Sequence, residues 1–450
     1  MLSRVTKFVF FICLICIGFQ INAQEYLKPS AARFAQEKQD SEMSDRWKFV
    51  FSSHFDGRFV STGKERNWSS PDSSGFGGRG LTRYGGVDPD RDGAFDTTAQ
   101  SFRLSKLAFV FDVQKKSDFK FRTQLEFIDD ENQTDSIGRI GLSEIFIARK
   151  FRFSKSRNLT ARMGALFPNF SLEHTGLAWT AERTLTPSAI NSWFAEEVRP
   201  VGLELNYSNI LGHHRYEIEL MGFSMNDPMG SLLHYRGWAF HDRVTVFGQR
   251  NRFNQVNAAP RDPTSLGDPF LEIDGRLSGF AGLKYSFKGL YELSFYYLDT
   301  NANNETRTGL KIDYAWDTKF SLLNIKLRPV HSFEILAQYI DGSTSMKSAT
   351  TPNGIDGDFD SWYVLASYNW EKSLVSLRYE EIHYKDSGTS LADDFNQKGN
   401  AFTLAYFYRW DRQSLGLEYI SPETEREGND GGGTDDPSDE LLQVSYRFNY

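Results

Sequence analysis

Phe119-Lys120-Phe121-Arg122-Thr123-Gln124-Leu125-Glu126-Phe127 is the stretch that decides the fold. Its odd positions are Phe119, Phe121, Thr123, Leu125 and Phe127, and its even positions are Lys120, Arg122, Gln124 and Glu126. Polarity with a period of two belongs to a β-strand that shows one face to an apolar medium and the other to water. The pattern recurs along the chain. Val201, Leu203, Leu205 and Tyr207 bracket Glu204 and Asn206. Phe402, Leu404, Tyr406, Tyr408 and Trp410 share one parity. The chain ends on Leu442, Val444, Tyr446, Phe448 and Tyr450, alternating with Gln443, Ser445, Arg447 and Asn449.

Soluble sandwiches also alternate, but with strands of about 5 to 6 residues. The strands read here run to about 9 to 11, the length a tilted strand needs to cross hydrocarbon. Several end in Tyr or Trp, as the aromatic girdles of a membrane barrel require. The connections alternate in length as well. Short turns are predicted near 114–117, 154–157, 209–213, 288–289, 329–331, 371–373 and 411–413. Long polar loops are predicted near 58–101, 129–141, 167–198, 225–275, 301–318, 342–360, 385–399 and 422–439. That asymmetry separates periplasmic turns from extracellular loops in outer-membrane barrels.

The expected fold is therefore all-β: a transmembrane, antiparallel, up-and-down β-barrel of about 16 strands. A count of 18 stays open, because 238–248 and 308–317 also carry strand-like stretches. An even-stranded barrel of this size leaves an aqueous lumen.

The ends complete the picture. Arg4 and Lys7 precede the apolar run Phe8 to Phe19, and Ile21-Asn22-Ala23 offers a cleavage site. Residues 1–23 read as a signal peptide, 24–45 as a short periplasmic leader and 46–450 as the barrel. Cys13 and Cys16 both lie in the signal, so the exported chain has no thiol for a disulfide, a metal or catalysis. The net charge of −8 argues against nucleic acid as a partner. A bacterial outer-membrane location is expected, with lipids outside and small hydrophilic solutes or ions passing by diffusion inside.

The inward parity supplies the candidate pore-lining residues: Arg103, Lys106, Lys120, Arg122, Glu126, Arg162, Glu204, Glu217, Glu219 and Arg378. Rings of charged side chains set ion preference in pores. Glu173, Glu182, Arg183 and Arg199 lie in or at the end of the loop 167–198 and would form a constriction if it folds inward. Asp88-Pro89-Asp90-Arg91-Asp92-Gly93 matches the start of a calcium loop, but Ala99 stands where a bidentate Glu belongs. A structural calcium on Asp88, Asp90 and Asp92 and a merely solvated acidic loop both remain open, and no other cofactor is expected. There is no H-E-x-x-H and no G-x-S-x-G, so no enzymatic activity is expected. His241-Asp242, with Ser231 nearby in sequence, carries the alternative of a surface enzyme or adhesin built on a barrel.

Two resemblances add to this reading. The terminal strand, 441–450, resembles the signal by which outer-membrane proteins are recognised for assembly, which implies the barrel assembly machinery as a partner. The segments Phe102-Arg103-Leu104-Ser105-Lys106-Leu107-Ala108-Phe109, Arg162-Met163-Gly164-Ala165-Leu166-Phe167-Pro168-Asn169-Phe170-Ser171-Leu172-Glu173 and Arg199-Pro200-Val201-Gly202-Leu203-Glu204 resemble the phosphate-selective porin O and P family. The likeness covers about residues 100–210, and the remainder only by strand pattern. It implies a 16-stranded, usually homotrimeric barrel passing anions such as phosphate. Here Glu126, Glu204, Glu217 and Glu219 alternate into the same lumen as the cations.

Overall fold

The computed structural model describes residues 47–64, 81–85, 97–115, 118–127, 140–249, 251–252, 266–308, 314–347, 354–389, 395–428, 434–435 and 440–450. The expected signal peptide, the leader and Asp88, Asp90 and Asp92 lie outside these residues.

Sixteen long strands form the wall. They are β1 (Trp47–Thr62), β2 (Gln100–Lys115), β3 (Phe119–Phe127), β4 (Ile140–Arg152), β5 (Arg157–Ala165), β6 (Val201–Leu211), β7 (His214–Ser224) and β8 (Ser278–Phe287). Then come β9 (Tyr291–Asp299), β10 (Asp317–Val330), β11 (Phe333–Lys347), β12 (Gly354–Trp370), β13 (Ser373–Asp386), β14 (Phe395–Trp410), β15 (Gln413–Gly428) and β16 (Leu441–Asn449). Each pairs antiparallel with its neighbour in sequence, and β1 pairs with β16 as well as β2, which closes the sheet. Closure removes sheet edges, so every wall strand is paired on both sides.

The 18-strand alternative is not adopted. Residues 238–248 and 314–316 contribute no wall strand, and β7 pairs directly with β8. Among the described residues no helix is long and apolar enough to cross a membrane.

The two faces divide as the alternation requires. Leu404, Tyr406, Leu442, Val444 and Leu283 are exposed on the outside, whereas Thr403, Gln443 and Ser445 are buried inside. An apolar exterior on a closed sheet is stable only against hydrocarbon, which makes this an outer-membrane-type barrel. Trp47, Tyr216, Tyr291, Tyr368, Trp370, Tyr408 and Tyr450 collect towards the short-turn end, the periplasmic side of such barrels.

The interior departs from the expected open lumen. Segment 166–200 and residues 225–249 turn inward and fill the centre. Their apolar side chains meet inward residues of β8 to β12. Phe170 packs on Phe280, Tyr296 and Phe320, and Trp193 packs on Phe320 and Phe359. One buried cluster joins this plug to the wall. Each aromatic ring so buried removes on the order of 150–250 Å² from water, enough to hold a loop inside a barrel.

Candidate functional site

The plug is built around α1 (Ala189–Glu197), with Ser188 as its N-cap, whose hydroxyl accepts from Asn191 N. Carboxylates gather at this helix start, where unpaired N–H groups favour anions. Glu173 accepts from Ser188 N at 2.8 Å and from Asn191 Nδ2 at 2.5 Å. Glu380 of β13 accepts from Ala189 N at 2.8 Å. Arg378 lies between them, donating to Glu173 at 2.9 Å and to Glu380 at 2.7 Å.

Further ion pairs wire the plug to the wall. Arg58 and Arg83 both bind Asp242, at 2.7 and 2.8 Å. Arg236 grips Glu196 through two bonds of 2.9 and 2.6 Å, and His241 Nε2 stands 2.9 Å from the same carboxylate. Burial alone would raise Glu196, but Arg236 and then His241 hold it well below the usual carboxylate range. Among the described residues Glu197 has no cationic partner. It accepts from Trp193 Nε1 at 2.6 Å, Ser231 Oγ at 2.9 Å and Leu232 N at 2.9 Å, and burial pushes its carboxyl up to about 7. Ser231 is thus bound to Glu197, and His241 to Glu196.

The plug tip reaches the periplasmic mouth. Arg447 and Arg409, both near the short-turn ends of their strands, donate to the carbonyls of Ala181 and Glu182. Arg183 pairs with Glu334 at the start of β11. Glu182 itself is exposed and accepts from Thr175 Oγ1 at 3.1 Å.

Between this tip and the wall of β3 to β5 lies a cavity of about 560 Å³. Its wall side includes Lys120, Arg122, Glu144, Phe146, Lys150 and Arg162, and its plug side Phe167, Asn169, Ser171, His174 and Trp179. Arg122 binds Asp112 through two bonds of 2.8 Å, and Lys120 Nζ lies 3.5 Å from the same carboxylate. Arg162 binds Glu204 at 2.7 and 2.5 Å. Behind the cavity, Arg199 is buried over the ring of Trp179 at 4.9 Å and donates to Ser143 O, and burial lowers its guanidinium to about 10.

The candidates from sequence therefore separate. Lys120, Arg122 and Arg162 meet at the cavity, with Glu204 as a partner behind them. Lys106 and Glu126 face inward but are buried against each other at 3.4 Å. Arg103 is half-buried and donates to Ser101 Oγ at 2.8 Å. Glu217 pairs with Arg215 at 2.5 Å, and Glu219 accepts from Asn206 at 3.5 Å. Arg378 faces inward from β13 and pairs with Glu173 of the plug, both buried. Glu144, Lys150, His174 and Trp179 were missed. The parity of β4 was blurred, because Phe146 points in and Arg149 sits among the outward positions.

Asp227, Glu272 and Asp274 bring carboxylate oxygens together. Those oxygens accept from the backbone of Ile273, Asp274, Met225, Gly275, Arg276 and Asn303, so the cluster serves as a turn cap.

Fold and site define a membrane-spanning β-barrel with an inward-folded plug and a polar cavity at its periplasmic mouth. No protein-family model matches the chain, and no curated protein sequence does. Among solved structures, the anion-selective porin from Comamonas acidovorans is 12% identical over 90% of this chain and 100% of its own, with a TM-score of 0.49. The outer membrane channel DcaP of Acinetobacter baumannii is 12% identical over 90% of this chain and 97% of its own, with a TM-score of 0.49. OmpT of Vibrio cholerae, in a trimer form, is 9% identical over 90% and 100%, with a TM-score of 0.48. At these identities the likeness concerns the fold alone.

Proposed function

We propose that this chain is a porin-like channel through which small hydrophilic solutes cross the outer membrane by diffusion. The observation that carries the reading is the charge-lined cavity of about 560 Å³ beside the plug, inside a closed barrel with an apolar exterior. The conduit runs along the β3–β5 wall, because the opposite half of the interior is packed core. Charge preference is weak. Arg122 and Arg162 each face a carboxylate, Asp112 and Glu204, so the phosphate preference implied by the family resemblance is damped. Assembly through the C-terminal strand and homotrimeric association belong to the same reading.

The test is conductance and reversal potential of purified protein in a planar bilayer. Ion current with a reversal potential near zero in a salt gradient is expected. Folded protein without current overturns the reading. The filled centre of the barrel favours a second reading, a surface enzyme or adhesin on a barrel scaffold, and absence of current would promote it.

A further inference from the structure

The cavity at the periplasmic mouth has an order of charge, and its use by a passing solute rests on the channel reading. Strand register gives the levels. Lys150 stands near the mouth, where its backbone N–H donates to Asp118 O at 2.7 Å. Lys120, Ala148 and Arg162 share the next level, and Arg122 lies opposite Phe146 one inward step further. Glu144, opposite Gln124, stands at the innermost level. Lys150, Lys120, Arg162 and Arg122 thus hold the outer levels, where the rim carboxylate of Asp118 is paired with Arg152 at 2.9 Å, and Glu144 is the innermost charge.

The cations are anchored from behind. Arg122 and Arg162 each give Nε and Nη2 to a carboxylate and keep Nη1 outside that pair. Glu144 is different. It is 2% exposed, lines the cavity, and its Oε2 has no hydrogen-bond partner among the described residues. A buried acceptor left unmade carries its full desolvation penalty, and a charged donor arriving there recovers it. Phe146, Phe167 and Trp179 add apolar surface to the same lining.

We propose that this cavity binds a small zwitterion, an α-amino acid or short peptide with an apolar side chain. Its ammonium group donates to Glu144 Oε2, and its carboxylate accepts from the Nη1 edges of Arg122 and Arg162. A free phosphate meets the like charge of Glu144, and a simple amine meets the cationic levels first. A zwitterion satisfies both ends.

Three probes isolate the claim: phenylalanine, 3-phenylpropionate lacking the amine, and phenethylamine lacking the carboxylate. Each is titrated calorimetrically into the full-length protein in detergent, against a detergent blank, with inorganic phosphate as a fourth ligand. Phenylalanine is expected to bind at least about tenfold more tightly than either truncated probe, the fold-change that loss of one charge-assisted bond gives. Glu144→Gln is expected to erase its advantage over 3-phenylpropionate. The comparison on the unmodified protein decides the matter even if that variant fails to fold. Equal or tighter binding of 3-phenylpropionate or phosphate, or no heat from phenylalanine, overturns the proposal. Ion current without phenylalanine binding overturns this inference and leaves the channel reading standing. Phenylalanine binding without ion current does the reverse.

Discussion

Arg378 has no solvent contact and meets Glu173, Glu380, Thr186 O and Pro187 O, so removing it leaves two carboxylates buried without their cation. Breaking a buried pair from one side costs about 3–5 kcal/mol, mostly as the penalty on the abandoned charge. Arg378→Met is therefore expected to lower unfolding stability in detergent by that amount, read from urea midpoints. Replacing Arg378 together with Glu173 and Glu380 by apolar residues should recover much of the loss. Glu197 makes a different prediction. Its folded carboxyl titrates near 7 against 4.5 for the ordinary group, so the folded chain holds a proton the unfolded chain has released. Stability from this group is fully present below 4.5, falls as pH rises towards 7, and is flat above, with a slope of up to about 1.4 kcal/mol per pH unit. Burial lowers His241, which acts in the opposite sense below 6.5, so the test is a difference. Glu197→Gln should lose a negative slope between pH 5 and 7 that the parent chain retains, in parallel melts. Identical slopes would show that Glu197 is ionised when folded. Neither role was legible in the sequence. Arg378 shows the inward parity of β13, but parity cannot say whether water or a loop waits inside.

Strands were legible because each records two environments in its own residues. β14 places Leu404 46% exposed between Leu377 of β13 and Tyr419 of β15, with Thr403 buried on the other face. Leu404→Arg puts a charge against hydrocarbon at mid-band and should cost roughly 2–4 kcal/mol. Arg122→Glu, facing the cavity beside Asp112, should still fold while moving the reversal potential towards cation preference. Equal unfolding midpoints for these two variants would mean the faces are misassigned. The plug was legible only as a long loop. Segment 166–200 has no period, since α1 is buried on all sides and sends Asn191 to Gln338, Trp193 to Phe320 and Phe359, and Glu197 to Ser231. Its inward fold is decided by aromatic and charged contacts with strands more than a hundred residues away, and no local pattern encodes those.

Across the whole molecule, conductance should report the plug rather than the barrel. A 16-stranded wall encloses an interior wide enough for an aqueous channel, yet here the β8–β12 half of it is occupied by the core around Phe170, Trp193, Trp238 and Phe359. On the proposed reading solutes pass the cavity between the tip residues His174 and Trp179 on one side and Lys120, Arg122 and Arg162 on the other. Replacing residues 175–183 by a short glycine-serine link removes Trp179 and the Arg183–Glu334 pair. It leaves the Glu173 cap of α1 and the Arg378 network in place. The barrel should therefore still close, and single-channel current in concentrated KCl should rise severalfold. The charge preference should shift little, because the paired wall groups Arg122–Asp112 and Arg162–Glu204 are untouched. An unchanged current through the shortened protein would place the narrowest point elsewhere, above Arg199 and its aromatic neighbours, and the β3–β5 cavity would then be a vestibule rather than the constriction.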